Sequence, residues 1–152
     1  MPITDLTEYK ALDDAMEDYL QRIDRAIIRS FKWCGEQAVN TARNKVSLIP
    51  NLKKYKNQTG NLVSSIGYVI SVDGQLRHAS SFKAVKGGHQ GAREGRASAM
   101  SLIKEFPEGI ALIVVAGKEY ACHLHNRGYD VVDSAEIETE MLVEELLKEL
   151  EI

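Results

Sequence analysis

Apolar residues recur at three- and four-residue steps from Tyr9 to Val46, through Leu12, Met16, Tyr19, Ile23, Ala26, Ile27, Phe31, Cys34, Ala38 and Ala42. That period is the mark of an amphipathic helix, so one long helix is predicted over 9–46. Gly35, beside the bulky Trp33, is a place for a bend, because glycine weakens a helix interior by about 1 kcal/mol relative to alanine. Pro50 supplies the stop, and the polar, basic stretch from Asn51 to Gly60 reads as a surface connection.

The pattern then changes. Leu62 to Val72 reads LVSSIGYVISV, where Ile66, Tyr68, Ile70 and Val72 alternate with smaller or polar residues, and Asp73-Gly74 follows. Period two followed by that dipeptide predicts a strand and a hairpin turn, with Gln75 to Phe82 as the returning strand. Lys83 to Arg96 carries glycines at 87, 88, 91 and 95 and reads as a flexible basic loop, followed by a short helix over Ala97 to Phe106. The run IALIVVA at 110–116 is short and β-branched, which predicts a central strand. Tyr120 to Asn126 is its extension or partner, and Tyr129 to Val132 is a further short strand. Asp133-Ser-Ala-Glu136 has the form of a helix start, and Ile137, Met141, Leu142, Leu146, Leu147 and Leu150 form the apolar stripe of a C-terminal helix over 134–150. Together these elements predict one α+β domain, with both terminal helices packed on a mainly antiparallel sheet of about four strands within 61–132.

Charge sharpens this picture. Between Arg43 and Arg96 there are ten Lys or Arg against Asp73 and Glu94, a surplus of eight positive charges. The rest of a chain whose net charge is -3 therefore carries eleven surplus negatives, and the stretch from Glu136 to Glu151 contributes seven Glu against Lys148. Such segmental polarity suits contact between one subunit's basic region and a neighbour's acidic region, and it also suits a sequence-blind contact with DNA phosphates. The candidate interface residues are Lys53, Lys54, Lys56, Lys83, Lys86, Arg93 and Arg96 on the basic side, and Glu140, Glu144 and Glu145 on the acidic side.

Candidate chemistry is sparse. The two cysteines, Cys34 and Cys122, are far apart and have no CxxC spacing, so neither a disulfide framework nor a structural zinc site is expected, and a reducing compartment is. In Cys122-His123-Leu124-His125 a strand would place the histidines on one face and the cysteine on the other, so three ligands would not converge without help from His78 or His89. Ser64 and Ser65 lack a nucleophile elbow. The adjacent carboxylates at Asp13-Asp14 and Glu144-Glu145 point about 100° apart on a helix and read as solvated faces. The glycine-rich stretch 87–96 precedes a helix but lacks the lysine and hydroxyl residue that end a P-loop. Asn57-Gln58-Thr59 matches a glycosylation sequon, but the N-terminus reads without a secretory leader and no run is apolar enough for a membrane span. No catalytic residue, metal or cofactor is expected, and no membrane partner.

Two phrases carry a resemblance. A long N-terminal helix followed by Thr59-Gly60-Asn61-Leu62-Val63-Ser64-Ser65-Ile66 resembles the tail-completion and head-tail joining (minor tail, neck) proteins of lambdoid-type tailed bacteriophages. Ala116-Gly117-Lys118-Glu119-Tyr120-Ala121 with Arg127-Gly128 is similar to the strand end that precedes that family's final helix. His125 stands where the family usually has a glutamate, one extra residue precedes Gly128, and the basic glycine loop with its following helix looks like an insertion. The resemblance implies a non-enzymatic virion assembly subunit of a phage or prophage that forms a ring with itself and with connector or tail proteins. It would be found in the bacterial cytoplasm during assembly and then at the virion head-tail junction. The residues themselves need only structural duties: Thr59 and Gly60 suit a turn that launches the strand, Leu62 and Ile66 are apolar anchors, Ser65 lies beside them, Tyr120 and Ala121 fit a packed strand end, and Gly128 fits a turn. The alternative is a nucleic-acid-binding accessory protein using the basic 53–96 region. A third reading is a small enzyme with a site around His123 and His125.

Overall fold

The computed structural model describes residues 6–47, 59–84, 87–117, 120–126 and 139–145. Helix α1 spans Leu6–Ser47 without interruption, slightly beyond the predicted 9–46 at both ends. Its apolar stripe divides in two. Ile27, Phe31, Cys34, Ala38 and Ala42 are buried and press on one face of a sheet. Tyr9, Leu12, Met16 and Tyr19, which continue the same stripe, are 49%, 47%, 55% and 63% exposed. Among the described residues the sheet covers the second half of the helix. Gly35 is explained by packing: a Cβ there would lie 2.7 Å from the ring of Tyr68, so its absence lets the tyrosine lie against the helix.

The predicted strand over 62–72 is also corrected. Thr59–Ser65 is a short helix, α2, and strand β1 begins only at Gly67, running Gly67–Val72. Leu62 and Ile66, both buried, are four residues apart and meet the core from one side of that helical turn and its exit. The hairpin follows as expected, with Asp73 and Gly74 at φ 51° and 78° and strand β2 at Gln75–Ala79. Positive φ at both central residues matches the twist of the paired strands. The turn is clasped to the approach of the next strand: the Gly109 N–H donates to Asp73 Oδ1 at 2.9 Å, and the Asp73 N–H donates to the Gly109 carbonyl at 2.9 Å.

The expected loop at 83–96 is helical from His89: helix α3 spans His89–Leu102 and passes into a 3-10 turn at Ile103–Glu105. Gly91, Gly95 and Ala99 are its buried residues, spaced by four. A Cβ on Gly95 would lie 2.1 Å from the Ser65 carbonyl oxygen, so the bare glycine lets α3 approach the backbone of α2. It serves close contact here, and the same residue read in isolation resembles loop punctuation.

Strand β3, Ile110–Ala116, is buried at every position, and β4 spans Tyr120–Asn126. The four-stranded sheet has the order β2-β1-β3-β4 with every pairing antiparallel, so β1 and β3 are central. Alternation gives the sheet two covered faces. Tyr68, Ile70, Leu112, Val114 and Cys122 point to α1, while Val69, Ala111, Ile113 and Val115 point to Ala99, Ile103 and Phe106 on and after α3. A last helical segment at 139–145, α4, joins the α1 face through Leu142 and Val143, where the Cys122 thiol donates to the Leu142 carbonyl at 3.5 Å. The chain is thus α+β, with the N-terminal and C-terminal helices against an antiparallel four-stranded sheet. The expected strand at 129–132, Gly128 and the remainder of the 134–150 helix lie outside the described residues.

Candidate functional site

The sheet separates the two charged surfaces. Arg93 and Arg96 stand exposed on α3, over one face, and Glu140, Glu144 and Glu145 stand exposed on α4, over the other. Lys83 is exposed on the segment after β2, while Lys53, Lys54, Lys56 and Lys86 lie outside the described residues. The main chain of that segment is held to α1, because the Arg43 guanidinium donates to the Lys83 carbonyl, and burial pulls the Arg43 pKa down.

The two phrases that carry the resemblance meet in space. Ser65 Oγ donates to the Leu62 carbonyl at 2.6 Å and accepts from the Gly117 N–H at 2.7 Å. One buried hydroxyl thereby ties the end of α2 to the turn between β3 and β4. Thr59 and Gly60 form the first turn of α2, and Tyr120 and Ala121 open β4 opposite Ala116 and Val115. Ser65 acts here as a brace, and its proton is already committed.

A second cationic surface joins residues that the sequence reading left apart. Arg22, Arg25, Arg29 and Lys32 follow one another at three- and four-residue steps along α1, and Arg77 and His78 on the edge strand β2 complete a concavity of about 580 Å³ with Ile28. Arg22 is paired with Asp18 at 2.6 Å, one turn earlier on the exposed helix. Behind His78, the buried Tyr68 hydroxyl donates to Glu36 Oε1 at 2.8 Å and lies 3.1 Å from His78 Nε2. Burial, reinforced by the Glu36 hydrogen bond and charge, pushes the Tyr68 pKa well up, so the phenol stays protonated and is a poor nucleophile. Burial and the nearby Lys32 lower the His78 pKa, with Glu36 opposing them. The helical part of this surface was legible, since the four cations repeat on the side of α1 away from the apolar stripe. Arg77 was not, because only the hairpin brings it there.

The Cys122-x-His125 stretch is divided by the pleat as expected. Cys122 points into the α1-side core, while the His123 ring lies tilted against Phe106 on the other face, with ring centroids 4.8 Å apart. Among the described residues no group of three His, Cys, Asp or Glu is placed to hold a metal ion, and no helix is long and apolar enough to cross a membrane. Comparison with protein-family models, with curated proteins and with solved structures finds no match to this chain.

Proposed function

We propose that this chain is a structural subunit of the head-tail connection of a tailed bacteriophage or prophage, a joining or tail-completion protein that acts by assembling into a ring, and that it does no chemistry. The observation that carries the reading is the placement of exposed Arg93 and Arg96 on one side of the sheet and exposed Glu140, Glu144 and Glu145 on the other. Unlike patches on opposite faces of identical subunits favour heterologous, front-to-back contact, the type of contact that closes into rings. The joining of the two resemblance phrases through Ser65 and Gly117 supports the family reading, because it makes them one packing unit. In this reading the partners are other copies of the chain and connector or tail proteins, in the host cytoplasm during assembly and then at the head-tail junction. Light scattering at rising concentration and low salt tests it. Rings are expected, and Glu140→Lys with Glu144→Lys and Glu145→Lys should raise the concentration needed for them by at least about tenfold. Absence of any assembly, alone or with candidate connector and tail proteins, contradicts the proposal.

The cationic concavity favours a second reading, an accessory protein that holds nucleic-acid phosphates without reading bases. Binding through about four phosphates would give a log–log salt slope of about -3.6 on duplex DNA. Loss of that slope on Arg25→Glu with Lys32→Glu would place the contact there.

A further inference from the structure

The exposed half of α1 has a narrower and more regular apolar pattern than the half that packs on the sheet. Tyr9, Leu12, Met16, Tyr19 and Ile23 follow at steps of three, four, three and four. That is the seam of a helix-to-helix coil, whose apolar positions repeat every 3.5 residues. The first four are about half exposed, and Ile23 is only partly buried at the edge of the core. An isolated helical arm of about 15 residues is marginal in water, so a partner helix would stabilise it.

Charge selects the partner and its direction. In heptad terms Glu8, Arg22 and Arg29 flank the seam on one side and Asp13 on the other. A parallel pair of copies sets Glu8 against the acidic Asp13 of its neighbour, once on each side. An antiparallel pair sets the same flanking position against itself, so Glu8 of each copy meets an arginine of the other. The longest antiparallel overlap places Leu12 against Ile23, Met16 against Tyr19 and Tyr9 against Ala26, with Glu8 opposite Arg29. In that register Arg22, already engaged by Asp18, is not required for the cross-pair.

We propose that the projecting half of α1 is a homodimerisation arm, pairing antiparallel with the same arm of a second copy through the Tyr9-Leu12-Met16-Tyr19-Ile23 seam and a Glu8–Arg29 pair on each side. Such a contact is isologous and closes at two. It is therefore separate from the front-to-back contact of a ring, and it defines the subunit before assembly, whichever role the assembled protein has.

Sedimentation equilibrium of the full chain across concentration, below the onset of any larger assembly, reads the arm directly. A reversible dimer is expected. Leu12→Glu with Met16→Glu should raise its dissociation constant by at least about 100-fold while the melting profile of the rest of the molecule is retained. Glu8→Arg alone and Arg29→Glu alone should each weaken the dimer by about tenfold, and the two together should restore it. A wild-type monomer at every concentration, a dimer indifferent to the seam substitutions, or charge swaps that simply add their losses would each overturn the antiparallel arm. Rings that form normally from the Leu12→Glu, Met16→Glu variant would leave the assembly reading standing, and dimers that never progress further would leave the arm standing without it.

Discussion

The two halves of α1 share one helix and one apolar stripe, yet they do different work. From Ile27 onward the stripe is buried against Tyr68, Ile70, Leu112 and Val114, and small residues at Gly35, Ala38 and Ala42 let the sheet approach. From Tyr9 to Tyr19 the stripe carries larger side chains and, among the described residues, stays about half exposed. Apolar spacing alone says that a face will be covered, and it does not say by what. The difference lies in finer features: the wide, small-residue face fits a sheet, while the strict alternation of threes and fours, bordered by charges, fits another helix.

The contrast is broken most forcefully from the buried side. Phe31→Ala removes a ring that is 1% exposed and should cost about 3–5 kcal/mol in urea unfolding of the monomeric unit. Met16→Ala, on the same stripe, should change that quantity by no more than about 0.5 kcal/mol. Comparable losses at both positions would show that the arm packs on its own subunit. A smaller effect comes from the glycines that permit close approach. Gly95→Ala would press a Cβ on the Ser65 carbonyl, and Gly35→Ala would press one on the Tyr68 ring. Each should destabilise by about 1–3 kcal/mol, where alanine for glycine in an open helix would stabilise by about 1 kcal/mol. A gain in stability at Gly35 would mean that the Tyr68 ring moves aside freely.

The smallest effect is a pH dependence at the border between the halves. Burial, and then the nearby Lys32, lowers the pKa of His78, so the folded chain favours its neutral form. Its contribution to stability is complete above the ordinary histidine value of about 6.5 and is lost as pH falls through it, where the unfolded chain takes up the proton more readily. The melting temperature should therefore fall more between pH 7.5 and 5.5 in the wild type than in His78→Gln. An equal fall in both would remove His78 from the account.

Much of the sheet was legible because its signals are local. IALIVVA is too short and too β-branched for a surface helix, and Asp73-Gly74 specifies a tight hairpin whatever surrounds it. The failures share a cause, which is that the deciding contact lies far away in sequence. Gly95 serves as a contact point on a helix because the backbone of α2 is there to meet it, and Leu62 to Ser65 is helical where the spacing predicts a strand. Of the candidate surfaces, Arg93, Arg96, Glu140, Glu144 and Glu145 were identifiable as charged and exposed, but their placement on opposite sides of the sheet required the strand order. The exposed seam was visible in the numbers nine, twelve, sixteen and nineteen, and only the structure showed that these four side chains stay about half exposed among the described residues.

Amide hydrogen exchange along α1, followed as a function of protein concentration, tests the division of the helix most directly. Amides from residue 27 to 42 should be protected at every concentration, and those from 9 to 23 should exchange quickly when dilute and become protected as copies pair. Uniform protection along the whole helix, unchanged by dilution, would contradict the account.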